Sequence, residues 1–282
     1  MCRMKTLGAA ALAFAFVSAA AGADKPAKLR VLLLSGKNNH DWRKTTPALV
    51  KIFKDSGRFT VTVTNEPEKL KAADFKACDV IVSNWTPWPN IRKRFWDAET
   101  EEAFLDFIRG GRGLVVFHAA STAFATWPEF QKLVGATWGK GTGHGRQHEF
   151  EVKITDPKHP VTAGMKNFRI FDELWHRMPA QPGMKVLCTA FSAKNRGGSG
   201  TDEPVVMCTK LGKGRGFNLV LGHGTKAMSY PGWQKLMLRG TEWAATGKVK
   251  PPPAKKPARP AANTTATSTR PAAKLEAEKK EK

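Results

Sequence analysis

The sequence predicts an α/β domain built on a mostly parallel sheet with helices on both faces. Three observations predict it. Short, nearly all-apolar segments recur at residues 30–35, 80–82 and 114–117, and strands buried on both faces read as such runs. Segments of helical periodicity lie between them, and that alternation winds a chain into parallel βαβ units. Polar and aromatic residues crowd the positions just after the runs, at 35–42, 84–88 and 118–122. Ligand sites on such sheets lie beyond the carboxyl ends of the strands.

The elements follow in order. Residues 30–35 (RVLLLS) end at Gly36 and form a first buried strand. Thr45-Thr46-Pro47 opens a helix, with hydroxyl caps and a proline in the first turn. Leu49, Ile52 and Phe53 give it an apolar face, and Gly57 ends it. Residues 59–64 alternate as a strand, and Leu70, Ala73 and Phe75 sit on a short helical connection. After the strand at 80–82, residues 97–109 form a helix with Phe104, Leu105 and Ile108 on one side. Gly110-Gly111 stops it. Beyond the strand at 114–117 the chain is richer in strands, at 148–154, 185–190, 205–208 and 217–221. The segment GKGRG at 212–216 lacks P-loop spacing and reads as a hairpin turn. A helix at 232–246, carrying Leu236, Leu238 and Trp243, closes the domain.

Both ends differ from this core. Arg3 and Lys5 precede an uncharged stretch at 7–17, too short to span a bilayer, and Ala21-Gly22-Ala23 follows. That order predicts a cleaved signal peptide at 1–23 and a periplasmic or secreted protein. No later segment is apolar enough to cross a membrane. Residues 248–282 contain no aromatic residue and are rich in Lys, Pro and Ala. They cannot bury enough surface to offset the entropy of ordering, so a disordered basic tail is expected. One domain, 24–247, remains. The chain carries a formal charge of +22, and the excess favours anionic polymers. For an exported protein those are cell-envelope polymers, reached through the tail. Charge alone is sequence-blind, and no nucleic-acid motif accompanies it. Cys188 lies within one predicted strand and Cys208 ends another. Both a bridge between them and buried free thiols are open.

Chemistry concentrates in the loops. His40, His118, His144, His148, His176 and His223 lie in loops or at element ends, where a rigid scaffold most often carries function. His118 and Glu173 are the acid–base candidates. His40 and His223 would orient a substrate or hold a metal. Asn84, Trp85 and Ser121 are further substrate contacts, with Trp85 stacking on a sugar ring as flat aromatic faces do. His144 and His148, four apart with Glu149 adjacent, are candidate ligands for a divalent ion such as zinc. They lack the H-E-x-x-H pattern, and their glycine neighbours oppose a helix. A hydrolase built on Ser121 would lack the G-x-S-x-G turn.

The run from the first strand through Asn38-Asn39-His40-Asp41-Trp42 resembles the ThuA-like, or trehalose-utilisation, family. So do GRGLVVFH at 111–118, DPKHPV at 156–161, Asp172-Glu-Leu-Trp175, and Leu221-Gly-His-Gly224 before the last helix. The resemblance implies a flavodoxin-like sheet similar to class I glutamine amidotransferases. Those enzymes use a cysteine at a sharp turn after a strand. Here that turn reads Phe117-His118-Ala119-Ala120-Ser121, so glutamine hydrolysis is not expected. The family's link to trehalose, and by implication to 3-keto-sugars, points to a small sugar as partner. The expectation is acid–base or metal-assisted chemistry on that sugar, with a non-catalytic carbohydrate- or envelope-binding module as the alternative.

Overall fold

The computed structural model describes residues 27–250. The predicted signal peptide, Cys2 and nearly all of the predicted tail lie outside them. Among the described residues, no helix is long and apolar enough to cross a membrane.

The first half of the chain lays down β1 (Leu29–Leu34), α1 (Trp42–Asp55), β2 (Phe59–Thr64), β3 (Val80–Ser83), α2 (Ala98–Arg109) and β4 (Gly113–Phe117). After α3 (Pro128–Val134) come β5 (Gly143–His144), β6 (His148–Ile154), β7 (Phe168–Asp172), β8 (Trp175–His176), β9 (Lys185–Phe191) and β10 (Asp202–Leu211). The last elements are β11 (Gly214–Leu219), α4 (Thr225–Met228) and α5 (Pro231–Thr246). Nine strands join one sheet in the order β2-β1-β3-β4-β11-β10-β9-β6-β7, and β5 pairs with β8 apart from it. From β2 to β11 every neighbouring pair is parallel, and from β11 to β7 every pair is antiparallel. The fold is therefore α/β with a mixed central sheet, parallel where the chain alternates strand and helix.

Side chains alternate across the strands with period two. Val31, Leu33, Val80, Val82, Val115 and Phe117 face one side, over Leu49 and Phe53 of α1 and Trp233, Leu236 and Met237 of α5. Leu32, Leu34, Ile81, Leu114 and Val116 face the other, over α2 and α3. Gly113 lets α5 approach closely, since a Cβ there would lie 2.4 Å from the Ala244 carbonyl oxygen.

One expectation needs correction, and one alternative left open is decided. Helix α1 starts at Trp42, three residues before Thr45, because the Asp41 carbonyl accepts the Lys44 and Thr45 amides. The threonine hydroxyls do not cap; they accept from the Asn84 side chain at 2.9 Å each. The cysteines are unbridged: Cys188 pairs with Val206 and Cys208 with Lys185 in the β9–β10 ladder, so the two thiols do not oppose each other. Burial pushes their thiols up to about 12 and about 11, respectively.

The register then sets the functional edge. Leu34 lies beside Ser83, Ser83 beside Val116, and Phe117 beside Leu219. The residues that follow these strands leave the sheet side by side. The alternating directions beyond β11 return β7 to the same sense as β4. A flat sheet would hold β7 about 19 Å from β11 at 4.8 Å per strand. Instead the Asp172 carboxylate at the end of β7 accepts the Gly222 amide at 2.6 Å and the His223 amide at 3.1 Å, just past β11. The antiparallel half curls back over the parallel half's carboxyl edge.

Candidate functional site

Three imidazoles arrive at this edge from three parallel strands. After β1, the Asn38 side chain donates to the Asn84 carbonyl at 2.9 Å and accepts the His40 amide at 3.0 Å, which fixes the loop. The same Asn38 oxygen lies 3.2 Å from His40 Nδ1. After β4, His118 takes φ +45° and turns the chain into a 3-10 segment. A non-glycine residue in this left-handed region is strained, a condition that surrounding structure must impose. Its Nδ1 lies 2.9 Å from the Val220 carbonyl oxygen. After β11, His223 is placed by its own amide on Asp172.

The carboxylate comes from the antiparallel half. Glu173 follows β7, is 7% exposed, and accepts from Trp175 Nε1 at 2.7 Å. Around it stand His118 Nε2 at 3.7 Å, His223 Nε2 at 3.6 Å and His144 Nδ1 at 3.2 Å. His40 Nε2 faces His118 Nε2 at 3.2 Å. Burial lowers both imidazoles' proton affinity. It takes His118 well below its usual range, with neighbouring His40 adding to the effect. It takes His40 to about 4, reinforced by His223 and His144. Both rings are therefore neutral at physiological pH. Burial also pushes the Asp172 carboxyl up to about 7, although three backbone amides oppose the shift.

Above this cluster opens a cavity of about 210 Å³. His40, His144 and Glu173 form its polar side, and Trp88, Trp138 and Trp175 its aromatic walls. Trp138 packs edge-on against Trp175 at 5.1 Å between ring centroids.

Several predicted site residues lie elsewhere. Trp85 is 1% exposed and packs against Phe95 and Phe124, so it belongs to the core. It follows Asn84 off β3 on the side covered by α2. Asn84 is buried and spends its amide on Thr45, Thr46 and Asn38, which makes it a scaffold for the His40 loop. Ser121 is also buried, donating to the His118 carbonyl at 2.9 Å and meeting Thr137, so its hydroxyl is turned from the cavity. His144 and His148 do not pair. His144 turns to Glu173, whereas His148 meets the Arg146 carbonyl and packs on Phe150. Trp138 was missed; its place in a glycine-rich segment just before His144 was the available signal.

A family model described as ThuA, trehalose utilisation, matches residues 30–244. The chain belongs to the ThuA family. The matched span contains the whole cluster from His40 to His223, with Asp172 and the three cavity tryptophans. A ThuA-like protein of Parabacteroides merdae is 34% identical, with a TM-score of 0.70 over 80% of this chain and 92% of that one. Another ThuA-like protein, from Bacteroides uniformis, is 20% identical, with a TM-score of 0.59 over 78% of this chain and 93% of that one. The β-galactosidase of Rahnella sp. R3 is 12% identical, with a TM-score of 0.51 over 77% of this chain and 31% of that one; this likeness carries the fold alone. No curated protein matches the chain.

Proposed function

We propose that this ThuA-family protein is an exported enzyme that converts a sugar or keto-sugar in the tryptophan-walled cavity. The observation that carries the reading is one buried carboxylate, Glu173, set among three imidazoles beneath that cavity. Aromatic walls suit the apolar face of a sugar ring, and convergent polar groups suit its hydroxyls. The volume falls below the usual ~300–1,000 Å³ of small-molecule pockets. It suits one ring, so a disaccharide would seat one ring inside and the second over Trp88, which is 53% exposed at the rim. His144, 43% exposed with its Nδ1 3.2 Å from Glu173, is placed to carry protons between solvent and the cavity. His118, with His40 and His223, sets the polar floor beneath the reacting group.

Glu173→Gln keeps the shape and removes the charge. Turnover of a keto-disaccharide should fall by about 10²–10⁴-fold, the range for losing a positioned proton-transfer group, with the thermal midpoint little changed. Unchanged turnover would remove Glu173 from the chemistry. A wild-type protein that binds sugars and converts none would mean a carbohydrate-binding module.

A further inference from the structure

We propose that His40, His118, Glu173 and His223 form a site for one divalent transition-metal ion of the zinc class. Their candidate ligand atoms all lie within 4.8 Å of one another. The inference rests on the sugar reading only for what the ion would act on.

Distances support a common centre. A tetrahedral ion with bonds of about 2.0–2.1 Å holds its ligand atoms about 3.3 Å apart. The observed separations are 3.2 Å between His40 Nε2 and His118 Nε2, 3.7 Å from His118 Nε2 to Glu173 Oε1 and 3.6 Å from His223 Nε2 to Glu173 Oε2, so the carboxylate offers one oxygen to each imidazole, and no pair of ligand atoms is wider than 4.8 Å.

Proton placement points the same way. His118 Nδ1 faces a backbone carbonyl oxygen, which can only accept, so Nδ1 carries the proton and Nε2 a lone pair. His40 Nδ1 faces the Asn38 amide oxygen. That oxygen is identified because it also accepts the His40 amide, while the Asn38 nitrogen donates to a carbonyl. His40 Nε2 therefore carries a lone pair too. Two lone pairs aimed at each other across 3.2 Å repel unless a cation lies between them. The outer partners resemble the second shell that orients metal-bound groups. Besides Val220 and Asn38 they include Trp175 on Glu173.

The donor types choose the ion. Imidazole suits zinc, copper, iron and nickel, whereas calcium and magnesium take oxygen donors. Three imidazoles bound through a nitrogen lone pair and one carboxylate would bring one negative charge, so a divalent ion would leave the site singly positive. Since His40 and Glu173 also line the cavity, the ion would stand within reach of a sugar hydroxyl or carbonyl oxygen.

The test uses the full chain without a histidine tag, stripped with a chelator and titrated with zinc by calorimetry. We expect one ion per chain. His40→Ala and Glu173→Gln should each weaken binding more than about 100-fold, and Asn38→Ala by about 10–100-fold as an outer partner. His148→Ala should bind as the wild type does. If His40→Ala fails to fold, His223→Ala replaces it, because that side chain is 31% exposed. Failure of the wild type to bind zinc, cobalt or manganese would overturn the site, and so would unchanged affinity in the cluster variants. Sugar turnover that survives complete metal removal, together with no zinc binding, would overturn the site and leave the sugar reading standing. Cluster-dependent zinc binding without any sugar turnover would support the site and remove that reading.

Discussion

The parallel and antiparallel halves of the sheet contribute differently to one site. The parallel half supplies His40, His118 and His223 from the ends of adjacent or nearby strands, where a common strand direction makes convergence unavoidable. The antiparallel half supplies Glu173 after β7 and reaches the edge only by curling, while the small β5–β8 ladder and the segment before it add His144, Trp175 and Trp138. The comparison teaches that strand direction fixes where a site lies, while the curl determines which charge completes it. Asp172 is the point of contact, joining β7 to the segment after β11 through two amide hydrogen bonds.

Cutting that contact is the strongest way to break the comparison. Asp172→Ala would leave the buried Gly222 amide and the His223 amide without their acceptor. It should lower unfolding free energy by about 1–3 kcal/mol, the cost of unsatisfied buried donors, as read by urea denaturation. An unchanged midpoint would mean that other contacts hold the two halves together.

The parallel half has its own tie at the opposite edge. Asp79, before β3, accepts from Arg30 of β1 and from Arg112 before β4. Burial raises its pKa, but the Arg30 and Arg112 contacts prevail and hold it at about 2, below the ordinary 3.8. A depressed carboxylate stabilises the fold above its ordinary value, and the contribution is lost as pH falls from about 4 towards 2. The arginines are nearly half exposed, so the effect should be about 1 kcal/mol. Asp79→Asn should lower stability by that amount at pH 7 and should match the wild type near pH 2. Equal stability of the two proteins at pH 7 would sink the assignment.

The smallest effect expected is none. Because Cys188 and Cys208 are free, a thiol reductant should leave the melting temperature of the antiparallel half, and of the whole chain, unchanged. A clear fall would reveal a bridge.

How much was legible follows the same division. β1, β3 and β4 are buried on both faces, so continuous apolar runs marked them within a residue or so. β7 reads FRIFD, with Arg169 exposed and only five residues, and gave no such run. β5 and β8 are two residues each, below any periodicity. His118, His40 and His223 stood out as polar residues just after strands. The metal-type grouping did not, because it depends on the curl that carries Glu173 across four strand positions. Trp85 misled because a tryptophan beside polar residues looks the same in sequence whether its ring faces core or cavity. Only the turn after β3 decides between them.

The strand order carries one more consequence, for synthesis on the ribosome. β11 is inserted between β4 and β10, although among the described residues it is the last strand to be made. From the appearance of Phe117 to that of Leu219, β4 presents one unpaired, wholly buried-type edge. At about 5–20 residues per second, that interval lasts roughly 5–20 s. An open apolar edge is a template for pairing with another chain. Aggregation of nascent chains should therefore be most acute in this window, and it should end when residues 214–219 fill the gap.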